Sequence, residues 1–156
     1  MNQNRRILLK STFAAGATGL AISTGLLTPK TVLAAWPKAA FEAKDTNAAI
    51  EASLGSSSVI ESKDIKLKAP KIAENGASVS ITVTSKIAKT ESISIVIAEN
   101  GTPLAATFNL GTTTKGIVST RVKMGKSSDV IAIVKAAGKL YSTSKNVKVT
   151  IGGCGG

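Results

Sequence analysis

From Ser58 onward the apolar residues recur every second position, and most of them are β-branched. Val79, Ile81 and Val83 alternate with Ser80, Thr82 and Thr84. Ile93, Ile95 and Ile97 alternate with Ser94, Val96 and Ala98. Val147, Val149 and Ile151 alternate with Lys148 and Thr150. A period of two places successive side chains on opposite faces of a strand, and β-branched residues fit a pleated surface. Asn75-Gly76, Asn100-Gly101, Leu110-Gly111, Gly125 and Ala137-Gly138 fall between the runs and mark turns. The predicted strands are Val59–Lys68, Val79–Thr84, Ser92–Ala98, Leu104–Asn109, Ile117–Lys123, Val130–Lys135 and Leu140–Ile151. About seven short strands with turns between them predict an all-β fold, an immunoglobulin-like antiparallel β-sandwich. No Cys…Trp…Cys pattern accompanies it. In Val130–Lys135 both alternate sets are apolar, so that strand is expected to be buried on both faces. The aliphatic residues exceed what one sandwich core easily hides, and a covering partner is expected.

Ahead of the strands, Ala39 to Leu54 is rich in Ala, the best helix former, with Gly55 as a stop. Ala43, Ile50 and Leu54 share one side of the wheel, which predicts one N-terminal helix. Earlier still, residues 1–35 read as an address. Arg5-Arg6 precede a weakly apolar run from Phe13 to Leu27, and small residues close the segment at Ala34-Ala35. A basic start, an apolar middle and a small-residue cleavage site make a secretory signal peptide, here of the twin-arginine type. Gly16, Gly19, Ser23, Thr24 and Gly25 make the run too polar for a stable membrane anchor. The expected organisation is thus a removed signal over 1–35, a helix and sandwich over 36–151, and a tail over 152–156. Removal takes away Arg5, Arg6, Lys10 and Lys30, leaving 16 of the 20 bases against 9 acids, a net charge of +7.

Composition narrows the chemistry. There is no His and one Cys, so zinc fingers, Cys-ligated clusters and His-assisted nucleophiles lack their ligands or base. Aromatic residues are 3% of the chain, too few for the stacking platforms of a single-strand nucleic-acid groove. Arg121 is the only Arg after the signal, and no basic cluster suits nucleic acid. No metal, cofactor, nucleic acid or membrane anchor is expected, and the chain is not read as an enzyme.

The chemistry concentrates at the end, in Gly152-Gly153-Cys154-Gly155-Gly156. Glycine carries no Cβ and is costly to order, so this segment is expected to be a slender, flexible arm with a thiol near its tip. Five residues span at most roughly 16–18 Å. An odd Cys in an exported protein points to a reactive thiol or an intermolecular disulfide, so a disulfide-linked dimer through Cys154 is one expectation. An ordinary thiol has a pKa of about 8.5, and no His stands near to lower it. The thiol suits an adduct carrier that is activated in another protein's site. The plainer alternative is an exported immunoglobulin-like binding module with no carrier chemistry.

Together, Arg5-Arg6, the mature start near Ala35-Trp36-Pro37, the Ala-rich helix, the strand pattern and the terminal Val147-Lys148-Val149-Thr150-Ile151-Gly152-Gly153-Cys154-Gly155-Gly156 closely resemble the SoxY family. This family supplies the sulfur-carrier subunit of the Sox thiosulfate-oxidation system in the bacterial periplasm. The resemblance implies that Cys154 holds thiosulfate-derived sulfur covalently, as a cysteine S-thiosulfonate, and that Gly152, Gly153, Gly155 and Gly156 form the arm. It implies a heterodimer with SoxZ. It also implies transient contacts with the cytochrome SoxAX, the hydrolase SoxB and, where the organism has one, a sulfane dehydrogenase.

Overall fold

The computed structural model describes residues 37–150. Two short helices come first, α1 (Lys38–Glu42) and α2 (Thr46–Leu54). Nine strands follow: β1 (Ile60–Glu61), β2 (Ile65–Lys68), β3 (Ile72–Ala73), β4 (Val79–Ser85), β5 (Thr90–Ile97), β6 (Leu104–Asn109), β7 (Ile117–Val122), β8 (Ser128–Ala136) and β9 (Lys139–Val149). They form two sheets. The larger runs β1-β9-β8-β5-β6, with β3 also on β9; the smaller runs β2-β4-β7. The expected all-β sandwich with helical structure at its N-terminal side is what the chain forms.

Three features refine the expectation. First, the single helix is two. Asp45 adopts an extended conformation, and its carboxylate accepts the Ala48 N–H at 2.9 Å, so it caps and starts α2. Gly55 closes that helix at φ +82°, a left-handed position where glycine carries no steric cost. Second, the strand expected over Val59–Lys68 divides. A turn at Ser62, where Ser62 Oγ accepts the Asp64 N–H at 3.2 Å, sends β1 to one sheet and β2 to the other. Third, the sandwich is not wholly antiparallel. β1 and β3 both run parallel to β9, with Ile60 opposite Tyr141 and Ile72 opposite Lys148.

The alternation read from the sequence fixes which residues meet. Ile93, Ile95 and Ile97 of β5 and Val130, Ala132 and Val134 of β8 face the small sheet. There they pack with Ile65, Val79, Ile81, Val83, Val118 and Val122. Met124 and Val147 complete this layer. The opposite face of the large sheet is also dry. Val96, Leu104, Ile133 and Leu140 pack against Ala40, Ala49 and Ile50 of the helices, with Ile131 at the margin. The molecule therefore has a helical layer, a large sheet and a small sheet, and two apolar seams between them. β8 is buried on both faces, as its sequence implies. Its second face is covered by the chain's own helices, which bury Ile133 and partly bury Ile131 and so account for part of the aliphatic excess without a partner. The large aliphatic residues left exposed among those described are Val59, Ile60, Ile72 and Ile117.

Candidate functional site

The residues singled out by sequence, Cys154 with Gly152, Gly153, Gly155 and Gly156, and Arg5 with Arg6, lie outside the described residues. The described chain ends at Thr150, four residues before Cys154. The geometry bearing on the site is thus that of the C-terminal end of β9.

β9 is the longest strand, eleven residues, and pairs with β8 along nine of them, from Ser128↔Val147 to Ala136↔Lys139. A type of turn that needs two left-handed residues makes this hairpin: Ala137 has φ 48° and Gly138 has φ 71°. Beyond Val147 the β8 ladder stops, and other segments take over the hold on the chain. The Lys148 N–H donates to the Lys71 carbonyl at 3.0 Å, and the Thr150 N–H to the Ala73 carbonyl at 3.1 Å. The Val149 N–H faces the other way and donates to Ser127 Oγ at 2.9 Å.

The segment that carries Ser127 is itself held. The Met124 N–H donates to the Gly76 carbonyl at 2.7 Å. The Asn100 side-chain amide donates to the Lys123 carbonyl at 2.8 Å, and its oxygen accepts the Gly125 N–H at 3.0 Å. Lys126 and Glu99 add an ion pair at 2.9 Å; both side chains are exposed, so it contributes little. Gly76 sits where a Cβ would strike the Met124 carbonyl and approach Val149 Cγ1 to 2.8 Å. Only a bare backbone admits that approach. Two Asn-Gly turns, Asn75-Gly76 and Asn100-Gly101, thus converge on the 123–127 segment and, through Ser127, on Val149. Sequence marks both as turns; nothing in it shows that they meet.

Beside this end a groove of about 530 Å³ opens, with Ala69, Pro70, Ala73, Glu74 and Asn75 along one side and Ser78, Ser80 and Thr82 of the β4 segment along the other. The Lys145 ammonium donates to the carbonyl of Ala69, one of the lining residues, at 2.6 Å. A second recess, about 510 Å³, lies at the opposite end of the sandwich among Ile87, Lys89, Leu110 and Gly116. Among the described residues no cluster of three or more His, Cys, Asp or Glu could hold a metal ion. No described helix is long and apolar enough to cross a membrane.

What the described geometry defines is a small layered β-sandwich whose last, longest strand delivers the chain, firmly held, to a glycine-flanked cysteine segment. The chain belongs to the SoxY family: the family model for the sulfur oxidation protein SoxY matches residues 50–154. Among solved structures it is similar to the sulfur carrier protein SoxY from Chlorobium limicola f thiosulfatophilum. The two are 44% identical, with a TM-score of 0.60, over 66% of this chain and 94% of that one. A superoxide reductase (neelaredoxin) from Ignicoccus hospitalis is 19% identical with a TM-score of 0.49, over 55% of this chain and 80% of that one. At that identity it says nothing of function. No curated protein matches the chain.

Proposed function

We propose that the chain is a periplasmic sulfur carrier, exported through Arg5-Arg6, that holds thiosulfate-derived sulfur on Cys154. The observation that carries this reading is the extent of the family match, which runs through Gly152 and Gly153 to Cys154 itself. The 44% identical relative named as a sulfur carrier supports it.

The chemistry balances on a single thiolate. Oxidative joining of the Cys154 thiolate to thiosulfate forms one S–S bond and releases two electrons, which a cytochrome partner such as SoxAX accepts. Water then attacks the terminal sulfone, releasing sulfate and two protons and leaving a persulfide on Cys154. SoxB is the hydrolase for that step. The carrier supplies the thiol and its delivery, and the partner enzymes supply activation. SoxZ is the partner in a heterodimer.

The test is intact mass. Incubation of the mature protein with thiosulfate and the loading cytochrome should add a thiosulfonate-sized mass to the Cys154 peptide. Cys154→Ser should fold with an unchanged melting curve and gain no mass. Normal thiosulfate turnover by the Ser variant would overturn the reading.

A further inference from the structure

The geometry points to Ser127 as a positioning residue: with the Ala73 carbonyl and the side-chain-free Gly76, it fixes the pivot from which the cysteine segment departs. This inference rests on the carrier reading for its purpose, though not for its geometry.

The β8 ladder releases β9 after Val147, since Ser128↔Val147 is the last paired position. Without further ties, the tether to Cys154 would begin at Lys148. Instead the backbone is gripped on both edges for three more residues. On one edge Lys148 and Thr150 donate to Lys71 and Ala73. On the other, Val149 donates to Ser127 Oγ at 2.9 Å, and the Ser127 hydroxyl lies 3.5 Å from the Val149 carbonyl. A side chain here stands in for the missing strand. Ser127 can do this because its own segment is immobilised from two sides, by Gly76 through Met124 and by Asn100 through Lys123 and Gly125. Val149 Cγ1 occupies the space that a Cβ on residue 76 would take. Ser127 is exposed and adds no apolar burial, and Asn100 too lies in a surface turn.

The effect on delivery follows from tether length. With the backbone held through Thr150, at most four residues lead to Cys154, a reach of at most about 13–14 Å. With it held only through Val147, seven residues do. Effective concentration falls roughly as the −3/2 power of tether length, so releasing the pivot lowers it by roughly twofold and also frees its direction. A carrier that must enter a partner's site from a defined approach gains from a short tether on a fixed mount.

The experiment compares wild type, Ser127→Ala and Ser127→Thr as full mature chains. Amide hydrogen exchange at Val149 should accelerate at least tenfold in Ser127→Ala, while Val130 to Val134 keep wild-type protection. Ser127→Thr keeps the hydroxyl and should restore slow exchange. Enzymatic loading of Cys154 with thiosulfate should slow by up to about twofold in Ser127→Ala at subsaturating carrier. Reaction of the same thiol with a small aromatic disulfide should be unchanged, because a small reagent does not sense the pivot. Unaltered exchange at Val149 in Ser127→Ala overturns the pivot. Lost protection with undiminished loading overturns its role in delivery. Failure of Cys154→Ser to lose function would instead sink the carrier reading, and the exchange result would still stand.

Discussion

Gly76 and Gly101 follow Asn in turns that look alike in the sequence, yet they are not equivalent. A Cβ at residue 101 would meet nothing within 4 Å, whereas one at residue 76 would strike the Met124 carbonyl and crowd Val149. Gly101→Ala should therefore be close to neutral. Gly76→Ala must push backbone aside and should cost about 1–3 kcal/mol, as overpacking does. Thermal unfolding of the two variants, each against wild type, checks the contrast; equal midpoints would refute it. At the glycines around Cys154 the expectation is reversed. Gly153→Val or Gly155→Val should leave the melting curve unchanged, as expected of an arm proposed to lie outside the core. They should slow enzymatic loading more than one Gly inserted before Gly152 does, since a β-branched side chain narrows what a channel must admit and restricts φ. Loading rates at wild-type level for the Val variants would show that width is not what the glycines provide.

Among the elements, the long strands were legible because their alternation is strict and their burial one- or two-sided in a way that side-chain type reveals. β4 is observed over Val79–Ser85 and β9 over Lys139–Val149, each within two residues of the boundaries read from sequence. β3 had no legible signal: Ile72-Ala73 is too short to show any period, and it is a strand only because β9 offers it an edge. The break between the helices was present in the sequence as Asp45-Thr46, a cap followed by a helical start, but the surrounding Ala richness masked it. Asp45→Ala should cost about 1 kcal/mol through the lost cap. Ile133→Ala should cost about 2–5 kcal/mol, because Ile133 is buried between the large sheet and the helices. Denaturant melts of both variants measure the two terms. An Ile133→Ala change smaller than the Asp45→Ala change would mean that the helices do not seal that face. At the proposed site, the Gly-Gly-Cys-Gly-Gly run stands out from the order of the residues, and it lies outside the described ones. Ser127 does not stand out, because its contact with Val149 spans 22 residues and involves one hydroxyl among many.

At the scale of the whole molecule, the helical layer changes what a partner can use. The Ile131–Ile133 face is covered from within, so the proposed heterodimer with SoxZ is expected to use another surface. Amide exchange on α2 and at Ile133 should be the same with and without SoxZ; strong new protection there would mean that the partner displaces or overlies the helices. Oxidation of the isolated protein should give a reductant-reversible covalent dimer through Cys154, visible on a non-reducing gel and absent in Cys154→Ser. The parallel pairing of β1 and β3 with β9 has a further consequence, for the order in which the molecule is made. Ile60 waits for Tyr141 and Ile72 for Lys148, so early segments find their neighbours only after the last strand exists. A chain still being synthesised has no edge on which to lay them, and contacts of such long sequence separation form late. The strand that closes the fold is also the strand that leads to the cysteine. Cys154 is thus synthesised after the strand that completes the body, and a chain released before Lys139 should have neither the sandwich nor the thiol to misuse.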